Sequence, residues 1–386
     1  MAVAAKKGLY IVAGKRTPFG KYGGLLREVL PEDLFATAAI AALKAGDVAA
    51  DLVDTVNIGQ VSPISPTGLS PRHASLNAGI PAGRPVLGLN RASGSAFNAI
   101  ICGAQEIIVG VSQISLAGGM EAMSSVPFLV RDVRFGTKLG KSIVMEDFLQ
   151  MAFYDSYCNM FLLQTADIVA AMYGITRREA DEYALRSQQK WKHADASGVK
   201  LNTGEVLMTK DEHPHPDITA EKLSRMPPVF PGGIGTPGNS TGINDGAAAM
   251  VLANDQALKD HNLKPLARLV GWSCVGVDPM MMGIAAVPAV QTLLKTTGLT
   301  MDDMDLVEIH ETYAATTLVC ARELAVNEEN LNVNGGAIAI GHPTGASGAR
   351  IMSHLMYELR RRGLKRGIAS ANIGGGQGVA MIIETV

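Results

Sequence analysis

Aromatic side chains are scarce in this chain. Two of its 386 residues are tryptophan and 5% are aromatic, so a core must be built from aliphatic and small side chains. Charge is scarce as well, at 18%, with a formal net charge of −2. That balance excludes a nucleic-acid-binding surface as the organising feature, and an anionic ligand would have to be met by local basic groups. No apolar run reaches the roughly 20 residues of a membrane span. The four cysteines, Cys102, Cys158, Cys274 and Cys320, have no metal-ligand spacing and read as reduced core thiols rather than a disulfide framework. His213-Pro214-His215 lacks further clustered ligands, so no metal centre is expected. The first eight residues hold two lysines and no acid and lead directly into an expected strand, Leu9 to Val12, so no cleavable presequence is visible.

Apolar residues make up 47% of the chain and glycine fills 42 positions. This is the composition of a tightly packed globular protein, long enough for two or three subdomains. An internal duplication organises it. Gly46 recurs as Gly298, Asp54 as Asp305, and Ala92-Ser93-Gly94 as Ala346-Ser347-Gly348, at separations of 252, 251 and 254 residues. A nearly constant shift across three blocks implies two copies of one α/β domain, and the period is too long for a solenoid. Residues 32–45 carry helical periodicity closed at Gly46, and 53–58, 113–117 and 304–309 read as strands. Residues 93–109 are small or apolar on nearly every side, so they should form a buried helix starting at Ser93, with Ser347 opening its counterpart. Strand–helix alternation in both halves predicts two mixed α/β sheets covered by helices. The expected division is 1–120 with 239–264 for the first half, 265–386 for the second, and 121–238 as an inserted loop domain lying over the first.

Three blocks carry chemistry: Asn90-Arg91-Ala92-Ser93-Gly94-Ser95-Ala96, Gly341-His342-Pro343-Thr344-Gly345-Ala346-Ser347-Gly348, and Ala371-Asn372-Ile373-Gly374-Gly375-Gly376-Gln377-Gly378. The last could suggest a dinucleotide loop, but the chain ends eight residues later, leaving no room for the helix such a loop opens. With Lys15-Arg16-Thr17-Pro18-Phe19-Gly20, Val133 to Gly140, and Asn332 to Ala339, these blocks resemble the thiolase superfamily along essentially the whole chain. Within that superfamily the pattern looks like that of the 3-ketoacyl-CoA thiolases of animal mitochondria.

The resemblance implies a thiolase-like fold: two duplicated mixed α/β domains with buried central helices, plus an inserted loop domain that binds acyl-CoA. It implies no permanently bound cofactor, with coenzyme A or acyl-CoA as substrate or ligand. It also implies a homodimer or homotetramer, and the mitochondrial matrix as compartment, with the cytoplasm as the alternative. In the family a cysteine attacks the acyl-CoA, a histidine of the Gly-His-Pro block activates it, and a second cysteine moves a proton on the other substrate. An Asn or His of an Asn/His-Glu-Ala-Phe block holds an oxyanion-hole water. By position these become Ser93, His342, Asn372 and His310, with the backbone N–H groups of Ser93 and Gly374 forming a second oxyanion hole. The family's CoA contacts fall on His215, Ile218 and Thr241, where it has Arg, Thr and Ser, and the stretch around 198–211 looks shortened.

The departures have physical consequences. A cysteine thiol titrates near 8.5 and is readily activated. A serine hydroxyl needs a base at the moment of attack, which His342 can supply, although no acid that would orient it is evident. Asn372 cannot exchange protons near neutral pH but can donate a hydrogen bond to an oxyanion. The expectation is an acyl-CoA-handling protein with slow or absent reversible Claisen chemistry. Its alternatives are a non-catalytic acyl-CoA binder and a serine-dependent thioesterase or acyltransferase. An engineered trapping substitution at Ser93 is a competing explanation, against which stand the accompanying Asn372, His215 and Thr312.

Overall fold

The computed structural model describes residues 2–5, 8–62, 68–196 and 208–386. Of the shortened stretch noted around 198–211, residues 198–207 fall outside them.

Nine strands form one hydrogen-bonded path. In the first half they are β1 (Leu9–Arg16), β2 (Thr55–Gly59), β3 (Val86–Leu89), β4 (Ile114–Ala122) and β5 (Asn244–Asn254). In the second half they are β6 (Ala267–Gly276), β7 (Leu306–Ile309), β8 (Arg366–Ile373) and β9 (Gln377–Thr385). The order is β7-β8-β9-β6-β1-β5-β4-β2-β3. Read outward from the centre, β1-β5-β4-β2 repeats as β6-β9-β8-β7. In each copy the outer pair is parallel and the inner pairs are antiparallel. The strand order therefore carries the duplication legible in the sequence. The two expected sheets are joined, however: Ala267 pairs with Ile11 and Arg268 with Tyr10, because the inner edges β6 and β1 meet.

Helices repeat in the same way. In the first half α1 is Pro31–Ala45, α2 is Ser70–Asn77 and α3 is Ser95–Ile108. Between the halves lie α4 (Leu162–Met172) and α5 (Arg177–Ala196), and the second half holds α6 (Ala286–Thr297), α7 (Ala314–Glu323) and α8 (Ser347–Arg362). Helices α3 and α8 lie between the two half-sheets. Phe97, Ile100 and Ile107 of α3 and Met352, Leu355 and Leu359 of α8 share one core with Met250, Leu252, Leu269, Ile373 and Met381 of the strands. Helices α1 and α2 cover the far face of the first half, and α6 and α7 that of the second. The result is five layers, α/β/α/β/α. Strands covered on both faces need no polar alternation, and β4 is buried at every position. Gly348 lets the two central helices touch, since a Cβ there would lie 2.5 Å from the Phe97 backbone nitrogen.

Two expectations are corrected. Helix α3 begins at Ser95, not Ser93, because Ala92 has a positive φ of 42° that turns the chain before the helix starts. The segment expected to cover the first half begins after Ala122, where β4 ends, and its helices α4 and α5 pack on the second half. Their apolar stripe of Val169, Ala170, Ile175, Ala180, Tyr183 and Ala184 matches the outer faces of α6 and α7.

Candidate active site

Ser93 sits on a tight turn just ahead of α3. Gly94 N–H donates to the Arg91 carbonyl at 2.9 Å, and Ser95 N–H donates to the Ala92 carbonyl at 3.0 Å. The Ser95 hydroxyl locks the same Ala92 carbonyl at 2.6 Å, and the Asn90 side chain accepts the Ala92 N–H at 2.8 Å. The turn presents Ser93, partly exposed, close to the positive end of a buried helix.

The loop before α8 brings His342 to it. Ser93 Oγ lies 3.1 Å from His342 Nε2, and His310 Nε2 lies 3.2 Å from the same nitrogen. His342 is fixed at two further points, one of them through Ser347. Its N–H donates to Asn244 Oδ1 at 2.9 Å, its Nδ1 lies 2.6 Å from Ser347 Oγ, and Ser347 also reaches the Pro343 carbonyl at 3.1 Å. The orienting group missing from the sequence reading is thus Ser347, not an acid. The duplication was the signal that could have found it, since Ser347 is the counterpart of Ser93.

The Ser347 hydroxyl supports either tautomer of His342. When it donates to Pro343 it accepts from Nδ1–H, and Nε2 is free to take the Ser93 proton. When it donates to Nδ1, Nε2 carries a proton to offer to an oxyanion. Burial, and then the charge of Arg350, push His342 down to about 3. Burial, then His342 and Arg350, hold His310 well below the ordinary imidazole range. Both rings are therefore neutral at physiological pH, the state a base requires.

His310 is braced from behind. Glu311 is buried and accepts hydrogen bonds from Tyr183 Oη, Ser187 Oγ, Asn332 Nδ2 and the Ile338 N–H at 2.8 to 3.1 Å. Tyr183 and Ser187 lie on α5, so the inserted segment holds the histidine block in place.

Asn372, at the end of β8, is buried and turned to other work. Its Oδ1 accepts the Ala286 N–H at 2.7 Å, and its Nδ2 donates to the Gly283 carbonyl at 2.8 Å and toward Cys320 Sγ at 3.5 Å. The expected donation to an oxyanion is displaced by these backbone partners, which occupy the amide on both sides. Cys320, also unanticipated, donates to the Gly283 carbonyl at 3.4 Å, and burial pushes its thiol up to about 12. Gly374 follows in the turn, where a Cβ would lie 3.3 Å from Leu162 Cδ1 of α4.

The three residues expected to contact CoA separate into two places. His215 and Ile218 line a cavity of about 340 Å³ with Pro214, Pro216, Asp217, Lys222 and Met226. Thr241 lies against the His310 block instead, its N–H donating to the Thr312 carbonyl at 3.0 Å and its hydroxyl to the Ala337 carbonyl at 3.2 Å. Lys222 is a cation at the cavity that sequence reasoning did not single out. Among the described residues no group of three or more His, Cys, Asp or Glu could hold a metal ion, and no helix is long and apolar enough to cross a membrane.

Comparison with known proteins matches the thiolase N-terminal domain to residues 9–256 and the thiolase C-terminal domain to residues 263–385. The chain is 47% identical to human mitochondrial 3-ketoacyl-CoA thiolase, over 99% of this chain and 100% of that protein. It is 37% identical to an acetyl-CoA acetyltransferase of Rhizobium meliloti, over 97% and 98% of the two chains. Among solved structures, human mitochondrial 3-ketoacyl-CoA thiolase in complex with CoA superposes with a TM-score of 0.97 at 46% identity, covering 98% of each chain.

Proposed function

The chain belongs to the thiolase family, and from that premise we propose that it takes the acyl group of an acyl-CoA onto Ser93 while reversible thiolysis is strongly reduced. The observation that carries this reading is the contact of Ser93 Oγ with a buried, neutral His342 at 3.1 Å. In the step proposed, His342 Nε2 takes the hydroxyl proton as Ser93 Oγ attacks the thioester carbonyl. The backbone N–H groups of Ser93 and Gly374 stabilise the oxyanion of this step, and His310 belongs to the other oxyanion hole, where it would hold a water. Collapse breaks the C–S bond, and the imidazolium returns the proton to the departing thiolate, giving an acyl-serine ester and free CoA.

The second half of thiolase chemistry needs a group that moves a proton on the other substrate. Asn372 cannot do so, and its amide is engaged with Gly283 and Ala286. This supports hydrolysis, or transfer of the acyl group to another acceptor, over carbon–carbon cleavage. The CoA-bound human relative supports coenzyme A as the carrier, and the cavity at His215, Ile218 and Lys222 supports contact with its nucleotide end. The mitochondrial relatives support a mitochondrial compartment for this chain.

Assembly as at least a homodimer is part of the same reading. Strand β3 is hydrogen-bonded to β2 alone among the described strands, and Leu87 is exposed along it. An unpaired apolar edge favours pairing with a second copy. Light scattering at micromolar concentration tests this, and a monomer contradicts it.

The direct test of the functional reading follows the enolate absorbance of a 3-ketoacyl-CoA with and without CoA. CoA-dependent cleavage is expected at least about 10³-fold below an ordinary thiolase. Robust CoA-dependent turnover contradicts the reading.

A further inference from the structure

A buried carboxylate outside the reacting groups joins the two loops that carry them. Glu121 lies near the end of β4 and is fully buried. Its Oε2 accepts two backbone N–H groups at once, Gly345 at 2.9 Å and Val61 at 3.1 Å. Its Oε1 accepts the Ser62 N–H at 3.0 Å. A buried carboxylate is costly unless its lone pairs are filled. Among the described residues these backbone donors fill them, and no ion pair includes Glu121.

The two groups on Oε2 lead to opposite sides of the reaction. Gly345 stands between His342 and Ser347, in the loop that holds the base and the hydroxyl on its Nδ1. That loop is closely seated, since a Cβ on Gly345 would lie 2.2 Å from the Met120 carbonyl oxygen and 2.9 Å from that of Gly59. Val61 leads to the nucleophile. Its carbonyl accepts Asn90 Nδ2 at 3.0 Å, and Asn90 Oδ1 accepts the Ala92 N–H at 2.8 Å in the turn that presents Ser93. One oxygen atom is therefore the junction of a path from the His342 loop to the Ser93 turn, separate from the 3.1 Å contact between the two side chains.

Resting on the reading of Ser93 as acyl acceptor, we propose that Glu121 is a positioning residue for acyl transfer, whose carboxylate sets Ser93 against His342 by holding the Gly345 and Val61 N–H groups on one oxygen. It touches none of the reacting atoms and acts through the two loops. Reaction rates are steep in such alignment, and a misplacement of about 1 Å costs about 10²-fold.

Two substitutions cut the path at different places. Glu121→Gln keeps the size of the side chain but has one acceptor oxygen, so its NH2 group must face either Ser62 or the Val61–Gly345 pair. Asn90→Asp keeps the acceptor for the Ala92 N–H and removes the donor to Val61.

The test follows acylation of Ser93 by rapid mixing and mass, over a range of acyl-CoA concentrations. A parallel series uses p-nitrophenyl acetate, an acyl donor without CoA. Each substitution should lower the limiting acylation rate by about 10-fold with both donors and leave the half-saturating acyl-CoA concentration unchanged. The double variant should lose less than the product of the two, because both cut one path. Thermal unfolding shows which variants are folded, and if Glu121→Gln is not, Asn90→Asp, at an exposed position, decides alone. An unchanged limiting rate in the folded variants, a raised half-saturation in place of a lowered rate, or losses that simply multiply overturns the proposal. Acylation by the ester but not by acyl-CoA sinks the acyl-CoA reading and leaves Glu121 to be judged on the ester rates. Acylation of Ser93 by neither donor overturns both.

Discussion

Ser93 and Ser347 hold matching positions in the two halves, each at the head of a central helix, and they do different work. Ser93 stands ahead of its helix on a turn opened by the positive φ of Ala92, partly exposed. Ser347 is the first residue of its helix, fully buried. Between them lies one imidazole, with Ser93 on Nε2 at 3.1 Å and Ser347 on Nδ1 at 2.6 Å. The two hydroxyls stand at matching places in the duplication, and a two-residue difference in where the helix starts leaves one partly exposed on Nε2 and the other buried on Nδ1. A similar contrast separates Ser93 from Asn372. One faces a base across open hydrogen-bonding geometry, and the other is tied to the backbone on both sides of its amide.

The most severe way to break the first contrast is to remove the shared imidazole. His342→Ala should slow acylation of the protein by about 10²–10⁴-fold, read by quenched flow and mass. A rate near that of the unaltered chain would show that Ser93 is activated by something else.

The contrast with Asn372 is sharpened by restoring thiols. Ser93→Cys alone should recover little thiolysis, because the proton-carrying position stays empty. Adding Asn372→Cys should recover more than the two single changes suggest, since such groups act as a unit. The same change strips the Ala286 N–H and the Gly283 carbonyl of their partner, so stability should fall by roughly 1–3 kcal/mol. Denaturant unfolding measures this, and merely additive activity in the double variant contradicts the account.

A smaller effect is expected from Ser347→Ala. It leaves His342 Nδ1 without its buried partner, so acylation should slow by about tenfold, with the acid limb of the rate profile displaced. An unchanged profile reduces Ser347 to packing.

The least of the effects is in pH. Burial lowers His342 from 6.5 to about 3, so the unfolded chain binds the extra proton between those values. The contribution of His342 to stability is then complete above about 6.5 and is lost as pH falls toward 3. Glu121 runs the other way. Burial raises it from 4.5 to about 7, against the pull of the Ser62, Val61 and Gly345 N–H groups, so its contribution is lost as pH rises from 4.5 to 7. Glu121→Gln should flatten the second dependence and leave the first, as followed by unfolding midpoints across pH 4 to 8. Identical curves for the two proteins would show that Glu121 is not the group titrating.

Much of this was legible before the structure. The constant shift between Gly46 and Gly298, and between Ser93 and Ser347, announced two copies of one fold, and their strand orders agree. His342 and His310 were legible as candidate site residues because their blocks are distinctive, and the structure sets His342 against Ser93 and His310 against His342. What was not legible depends on contacts distant in sequence. The helices α4 and α5 of the inserted segment were assigned to the wrong half because an amphipathic stripe such as Val169 to Ala184 does not name its partner, while Met208 and Asp211 of the same segment do pack on the first half. The role of Asn372 depends on the Ala286 N–H and the Gly283 carbonyl, backbone atoms that no side-chain motif encodes. The start of α3 was misplaced by two residues because an alanine with positive φ leaves no compositional trace.

The central claim, that Ser93 accepts an acyl group with His342 as its base, is tested most directly by incubating the protein with an acyl-CoA, quenching, and mapping the adduct by intact mass and peptide sequencing. The account predicts one acyl group on the peptide containing Ser93, free CoA released in equal amount, and no adduct in Ser93→Ala. CoA release with no adduct requirement for Ser93, or an adduct that survives Ser93→Ala, would contradict it.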